Sequence, residues 1–343
     1  MKKTPTRPAI KKTTKSDSNP VKKALHLISS NPAEALSLIN KVLANDACNV
    51  FAWVIASKAY LELCELSEAE RCINKLTQLK PESLEVITLR ANLLFKRERY
   101  LDAELYLNDS ISKYGLEKDL SLKAILATVL QKQKKYQAAK RLYLELTQQL
   151  PGNWLYWNNL ALVYQDLSQF SEMDMAYQRS CELSEHDPLP YFNHIVGSHY
   201  NPERTPQEII ELCKNWQKKF SVENKNRPIA KNKNKSKRLR IGMISDGLRL
   251  HPVGNMITVG LKHVPESQIE FYAYSTSSSE DHVTQRIQRI CSKWHNIENV
   301  SPAELAEIIK NDDIDILFDM SGYNANSRMQ TLQFVPAPIQ IKW

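Results

Sequence analysis

Glycine is scarce in this sequence, with only eight among 343 residues. This composition excludes collagen-like and low-complexity chains. No apolar run approaches the ~20 residues that a membrane-spanning helix needs, and the first twenty residues lack the apolar core of a secretory signal. Six scattered cysteines form no Cys-x-x-Cys pair and have no histidine at metal-ligand spacing, which argues against a zinc site or a disulfide scaffold. Reduced thiols and a cytoplasmic location are therefore predicted.

Positive charge is concentrated in two short stretches. The formal net charge is +8, yet residues 1–23 contribute +7 and residues 224–240 contribute +8, so the rest of the chain carries about −7. A mildly acidic body offers no basic face to phosphates. We predict a disordered basic tail over residues 1–20 and a basic linker over 221–238, with no membrane or nucleic-acid partner. Nucleic-acid binding through residues 225–240 is the alternative, and it would show a steep salt dependence.

A repeat of about 34 residues runs through the first half of the chain. One position recurs at steps of 34, 34, 36 and 34, and a large apolar residue follows it by four residues each time. The recurring positions are Ala35, Ala69, Ala103, Ala139 and Met173, and the large residues are Ile39, Ile73, Leu107, Tyr143 and Tyr177. A second small set stands earlier in each repeat, at Ser57, Ala91, Ala127 and Ala161. Small residues are needed where two helices cross closely, so the pattern predicts stacked helix pairs.

These positions resemble the tetratricopeptide repeat. One copy is matched by Trp53, Tyr60, Ala69 and Pro81, and another by Trp157, Leu160, Ala161, Tyr164 and Tyr177. The resemblance implies four repeats and a preceding half repeat over residues 21–187, which form an α-solenoid. The concave face of such an array binds proteins.

A different pattern begins after Asp187-Pro188. Helices are predicted over 188–198 and from the N-cap Thr205 to about Phe220, which makes residues 188–220 a helical connector. Strands are then predicted at 239–244, 269–274 and 314–318, and helices at 253–263, 281–292 and 302–310. Strands that alternate with helices predict parallel βαβ units, here a Rossmann-like lobe over residues 239–343 with a sheet edge near 339–343. The fold class is therefore α plus α/β.

Two loops of this lobe should converge on one crevice. Ligands of such sheets bind at the carboxyl ends of the strands, where Ser245-Asp246-Gly247 leads to His251 and where Asp319 to Tyr323 follow the last predicted strand. Neither a G-x-G-x-x-G motif nor a P-loop is present. The imidazole of His251 can accept a proton or donate a hydrogen bond near neutral pH. The alternative is a solvent-facing loop histidine.

Several segments together resemble the nucleocytoplasmic protein O-glycosyltransferases, and within them the bacterial, Spindly-like branch of the O-linked N-acetylglucosamine (O-GlcNAc) transferases. These segments are His199-Tyr200-Asn201-Pro202-Glu203, Thr205-Pro206-Gln207-Glu208-Ile209, Arg240-Ile241-Gly242, Ser245-Asp246, His251-Pro252-Val253-Gly254, Asp315 to Tyr323 and Pro336-Ala337-Pro338-Ile339-Gln340. The order of repeats, connector and Rossmann-like lobe agrees with the family.

The resemblance implies the first lobe of a GT-B glycosyltransferase. The family transfers a sugar, here expected to be N-acetylglucosamine, from a UDP-sugar to Ser or Thr of proteins, without a metal or other cofactor, while the repeats bind the acceptor protein. His251 matches a family histidine that acts as a base or holds the reacting groups. Substrate contacts are implied for Asp246, Pro252, Gly254, Gly322 and Tyr323.

Three departures from the family pattern are visible. Asn324 stands where threonine is common, and Gly247 or Leu248 stands where phenylalanine is usual. Trp343 is the last residue, although the family continues into a second lobe that holds most of the nucleotide contacts. We therefore expect UDP-sugar binding only when a second lobe is supplied, and no transferase activity from this chain alone. The alternative is a catalytically dead, repeat-containing interaction adaptor.

Overall fold

The computed structural model describes residues 20–29, 31–81, 83–221, 238–277, 279–321 and 327–342. The predicted basic tail and basic linker fall almost wholly outside these residues. Contacts divide the chain into two compact units, residues 1–133 and 134–343. The boundaries at 187, 220 and 238 stay predictions.

The described part of the first unit is helical. Its helices are α1 (Pro20–Leu27), α2 (Pro32–Asn45), α3 (Val50–Glu62), α4 (Leu66–Leu79), α5 (Leu84–Lys96), α6 (Tyr100–Tyr114) and α7 (Leu120–Lys132). The short α1 lies at the start of the predicted half repeat. Side-chain caps from Asn49, Ser83 and Asp119 start α3, α5 and α7 by accepting free backbone N–H groups.

The second unit continues with helices and then forms the sheet. Its elements are α8 (Tyr136–Gln149), α9 (Trp154–Asp166), α10 (Phe170–Leu183), α11 (Leu189–Ser198), α12 (Pro206–Phe220), β1 (Leu239–Ser245), α13 (Pro252–Leu261), β2 (Ile269–Ser275), α14 (His282–Ile290), β3 (Cys291–Asn296), α15 (Pro302–Asn311), β4 (Ile316–Asp319), α16 (Met329–Leu332) and β5 (Ile339–Lys342). No helix within the described ranges is long and apolar enough to cross a membrane.

The repeat positions form the core of the helical region, as predicted. All five recurring positions and the five large residues that follow them are fully buried. The second small set, Ser57, Ala91, Ala127 and Ala161, is fully buried as well. The two repeat tryptophans have equivalent roles: Trp53 donates its indole N–H to Ala47 O, and Trp157 donates to Pro151 O, both at 2.9 Å. The fold is therefore a tetratricopeptide-type helical array followed by a parallel sheet.

A left-handed residue ends the first helix of each repeat. Cys64, Glu98, Lys134 and Ser168 have φ between 56° and 62°, and they recur with nearly the period of the alanines. The next backbone N–H reaches back to the helix in three of them: Glu65 N to Tyr60 O, Arg99 N to Leu94 O and Gln169 N to Tyr164 O, at 2.9–3.0 Å. This is the Schellman arrangement, and none of the four residues is glycine.

Met173 takes the place of alanine in the last repeat, and a glycine accommodates it. A Cβ atom added to Gly197 of α11 would lie 2.9 Å from Tyr177 Cε2 and 3.3 Å from Met173 Sδ. The large side chain of Met173 and the lack of a side chain at Gly197 are therefore complementary where α10 contacts α11.

One carboxylate ties the connector to the last repeat. Asp174 of α10 accepts hydrogen bonds from His194 Nε2 at 3.2 Å, Asn201 Nδ2 at 3.2 Å and Arg204 Nε at 3.1 Å. Burial alone would raise the pKa of Asp174, but the bond from His194 and the charge of Arg204 outweigh burial and hold the pKa below its usual value. Thr205, the predicted N-cap, forms a capping box with Glu208 that starts α12.

The sheet has five parallel strands in the order β3-β2-β1-β4-β5. This order confirms the predicted βαβ units. Neither β3 nor the short α16 was foreseen, and the helices expected to reach residues 263 and 292 end at Leu261 and Ile290. β3 lies at an edge of the sheet, and its buried and exposed side chains do not alternate regularly. Its sequence, CSKWHN, therefore lacks the alternation of apolar and polar residues that predicts a strand.

Helices cover the two faces of the sheet. Ile257 of α13 and Ile287 of α14 pack on Met243 and Phe271. Leu305 and Ile309 of α15 pack on the other face, in a cluster with Ile244, Tyr274 and Leu317. Parallel sheets require such cover because both faces are apolar.

A buried carboxylate, Asp312, joins α15 to the sheet. It accepts from Tyr274 Oη at 2.9 Å and His295 Nε2 at 2.7 Å and pairs with Lys293 Nζ. Burial alone would raise the pKa of Asp312, but the bonds from Lys293 and Tyr274 and the charge of His295 keep it below its usual value.

Candidate functional site

The order of the strands reverses between β1 and β4. Strands β2 and β3 lie on one side of β1, and β4 and β5 lie on the other. Ile244 pairs with Asp319, and Met320 N donates to Ile244 O at 3.0 Å. The loops that follow β1 and β4 therefore start side by side, at the switch point where sheets of this class bind ligands. Gly322 and Tyr323, predicted to contact substrate, lie outside the described residues.

His251 stands at the N-terminus of α13, beside this switch point. It is the N-cap residue, and its Nδ1 accepts the backbone N–H of Val253 at 3.3 Å. A nitrogen that accepts a hydrogen bond carries no proton, so a neutral His251 ring carries its proton on Nε2. In this state Nε2 donates a hydrogen bond and cannot accept a proton.

Two glycines allow the loop to fold tightly against His251. A Cβ atom on Gly247 would lie 2.6 Å from His251 Nδ1, and a Cβ atom on Gly254 would lie 2.1 Å from Arg249 O and 2.7 Å from Gly247 O. All three distances are far below van der Waals contact. Gly254 is buried, so packing accounts for this glycine, while the contact with substrate stays a prediction.

The other two candidate residues flank the loop. Asp246 follows β1 directly, and its backbone carbonyl accepts from Arg249 Nε at 3.1 Å. Pro252 is the exposed first residue of α13, where a missing N–H carries no penalty. Both lie at the carboxyl end of the sheet with His251.

The sequence did not single out Asp281 and Thr284, which hold the same loop from a second helix. Asp281 Oδ2 accepts the backbone N–H of Leu250 at 2.6 Å, and Thr284 Oγ1 donates to Leu248 O at 3.1 Å. Asp281 and Thr284 also form the capping box of α14. Their sequence signal is that of a helix N-cap, and it contains no sign of the contact with residues 248–250.

Asp319 adds a buried charge at the end of β4. Its side chain is almost completely inaccessible, and it accepts from Ser321 N at 3.0 Å and from Lys342 Nζ at 2.8 Å. The hydroxyl of Thr276, which follows β2, is buried and has no hydrogen-bond partner among the described residues. The carboxyl ends of three strands thus carry polar side chains.

One cavity of this lobe, of about 410 Å³, lies under α13. It is lined mainly by apolar side chains such as Met243, Phe271 and Phe318, and Lys342 lies at it as well. In the described ranges, no cluster of three or more His, Cys, Asp or Glu side chains could hold a metal ion.

Comparison with protein families identifies both parts of the chain. Residues 210–343 match the model of glycosyl transferase family 41. Residues 46–229 match the model of the ChAPs, the Chs5p-Arf1p-binding proteins. The second match falls mainly on the helical repeats and reports their architecture.

Curated relatives point the same way. The probable UDP-N-acetylglucosamine–peptide N-acetylglucosaminyltransferase SPINDLY of Arabidopsis thaliana is 26% identical over 156 residues, which are 44% of this chain and 17% of that protein. The Arabidopsis relative SEC is 30% identical over 108 residues, which are 31% of this chain and 11% of that protein. The aligned regions are therefore a minor part of these relatives.

A solved structure shares the fold. A mutant of the Thermobaculum terrenum O-GlcNAc transferase matches 87% of this chain with a TM-score of 0.62 and 21% identity. The match spans about half, 51%, of that chain. Residues 210–343 are thus a glycosyl transferase family 41 region, which follows tetratricopeptide-type repeats, and the chain is similar to the Spindly-like O-GlcNAc transferases.

Proposed function

We propose that this chain supplies the acceptor-binding repeats and the first catalytic lobe of a cytoplasmic protein O-glycosyltransferase. The reaction would move N-acetylglucosamine from a UDP-sugar to a Ser or Thr hydroxyl, without a metal. The observation that carries the proposal is the place of His251, which caps α13 at the β1/β4 switch point within the family 41 region. The six free cysteines support a reducing compartment.

The chemistry fixes what the site must do. The acceptor hydroxyl oxygen bonds to the anomeric carbon, the bond from that carbon to the diphosphate oxygen breaks, UDP leaves with the electron pair, and the hydroxyl proton passes to an oxygen of the departing diphosphate. Donors that meet the developing negative charge accelerate such a step. With Nδ1 engaged by Val253 N–H, His251 offers an Nε2–H donor. We assign His251 the role of holding a reacting oxygen and not that of the base.

The repeats have a separate role in this proposal. Stacked helix pairs present a continuous surface on which an extended segment of an acceptor protein can lie. The core of the repeats supplies the rigidity of that surface, since its recurring positions are fully buried.

The test is a chimera in which this chain replaces the matching half of the Thermobaculum terrenum enzyme. We expect radiolabelled N-acetylglucosamine to pass from UDP-N-acetylglucosamine to lysate proteins. His251→Ala should lower kcat by about 100-fold, the usual cost of one transition-state donor. His251→Gln, which keeps an N–H donor but no base, should retain more activity than His251→Ala.

A matched control is His263→Ala, because His263 is an exposed histidine just after the same helix. It should leave kcat unchanged. A folded chimera without any transfer would contradict the proposal and favour the interaction-adaptor alternative. A His251→Gln variant as inactive as His251→Ala would instead favour the role of a base.

A further inference from the structure

Asp281 connects the N-termini of two neighbouring helices with one carboxylate. Its Oδ1 accepts Val283 N at 2.8 Å and Thr284 N at 3.0 Å, which caps α14. Its Oδ2 accepts Leu250 N at 2.6 Å. Leu250 is the residue directly before His251, so the second oxygen fixes the backbone that enters the α13 cap.

A second link lies beside the first. Thr284 Oγ1 donates to Leu248 O at 3.1 Å and accepts Asp281 N at 3.2 Å. The loop is therefore held at an N–H group and at a carbonyl, two residues apart. Gly247 closes the loop from the other side, where only the absence of a Cβ atom leaves space for the His251 ring.

The charge of Asp281 suits this role. The hydrogen bond from Leu250, above all, holds the pKa of the Asp281 carboxyl below its usual value despite a smaller opposing effect of burial. An ionised acceptor makes a shorter and stronger hydrogen bond than a neutral one. It also meets the positive ends of the helix dipoles of α13 and α14.

We propose that Asp281 is the positioning residue of His251: it fixes the loop at Leu250 so that His251 Nδ1 keeps its bond to Val253 and the ring proton stays on Nε2. Asp281 acts through the loop and is not assigned a contact with substrate. The inference rests on the proposed function for its catalytic meaning, while the positioning itself is a property of the chain alone.

The decisive variant is Asp281→Asn in the full chain. Asparagine caps helices as well as aspartate does, so α14 keeps its cap, but the amide NH₂ group replaces the oxygen that faces Leu250. We expect the Leu250 amide to exchange its hydrogen about tenfold faster, as the loss of a hydrogen bond to a charged acceptor predicts. Nitrogen NMR of ¹⁵N-histidine should show that His251 no longer holds a single tautomer.

Ser301→Ala is the matched control in the same lobe. Ser301 caps α15 as Asp281 caps α14, but it has no contact with the loop among the described residues. It should leave the Leu250 exchange rate and the His251 tautomer unchanged. Thr284→Val removes the link to Leu248 and should shift both readouts in the same direction as Asp281→Asn, which covers the case in which Asp281→Asn does not fold.

The two proposals fail separately. If Leu250 exchange and the His251 tautomer in folded Asp281→Asn equal those of the wild type, the positioning role is overturned whatever the activity. If both readouts change and the chimera transfers sugar, Asp281→Asn should lower its kcat by about tenfold with little change in KM. An inactive wild-type chimera with a changed His251 tautomer contradicts the proposed function and supports the positioning role.

Discussion

Gly254 is the residue whose replacement by alanine should disturb the His251 loop most directly. The new Cβ atom would lie 2.1 Å from Arg249 O, and because this neighbour is backbone, the loop itself must move. We expect Gly254→Ala to lower the free energy of unfolding by about 3 kcal/mol, at the upper end of overpacking costs. Urea denaturation measures the change.

Gly260→Ala on the same helix is the control. Its Cβ atom would meet nothing within 4 Å, and alanine favours a helix over glycine by up to about 1 kcal/mol. This variant should be as stable as the wild type or slightly more stable. Equal stability of the two variants would show that the loop does not pack on Gly254 as described.

At the scale of single residues, the sequence indicated His251 as a candidate because the pattern is local. His251 stands in a loop that follows a β-branched, apolar strand, and Pro252 and Gly254 come shortly after it. Asp281 has no such local pattern for its second role. Its N-cap bonds are local, but its bond to Leu250 joins residues 31 positions apart. Contacts of this kind depend on how two helices are placed side by side, which no short pattern encodes.

The contact of α10 with α11 depends on the pairing of Met173 with Gly197. Gly197→Ala should lower the free energy of unfolding by about 1–3 kcal/mol, because the new methyl group presses on Tyr177 and Met173. The loss should be smaller in a Met173→Ala background, where one of these contacts is gone. Thermal unfolding of the single and double variants gives the coupling energy.

Gly152→Ala serves as the control for this pair, since a Cβ atom there meets nothing within 4 Å. We expect almost no change in stability. Strict additivity of Gly197→Ala and Met173→Ala, to within about 0.5 kcal/mol, would contradict the complementarity of the two residues.

Among the elements, the repeats were predictable because every copy places the same residue sizes at the same spacing, and burial enforces that spacing. β3 was not predictable. Lys293 and His295 stand in it because they reach the buried Asp312, so its composition reflects a polar network rather than the alternation that indicates a strand.

For the molecule as a whole, buried carboxylates predict sensitivity to acid. The pKa of Asp312 is lower in the folded state than its ordinary value of about 3.9. Its contribution to stability is therefore complete above about pH 4 and is lost as the pH falls through the lower folded pKa. Asp312→Asn should make the free energy of unfolding less steeply dependent on pH below 4, as measured by urea denaturation at several pH values.

Asp313→Asn provides the comparison, because Asp313 is half exposed and lies 3.5 Å from Arg240. Exposed pairs contribute little, so its profile should follow that of the wild type. An Asp312→Asn profile as steep as the wild-type profile would refute the role of Asp312. Asp174, whose pKa is also lowered, should retain its own acid dependence in both variants.

The left-handed residues Cys64, Glu98, Lys134 and Ser168 bear on how such an array can be engineered. An L-residue in this conformation is disfavoured by about 1–2 kcal/mol relative to glycine, although glycine returns part of that gain through the entropy of the unfolded chain. Because these four residues are exposed, glycine can replace each of them without changing a packed surface. The rigidity of the helical array can therefore be changed one turn at a time.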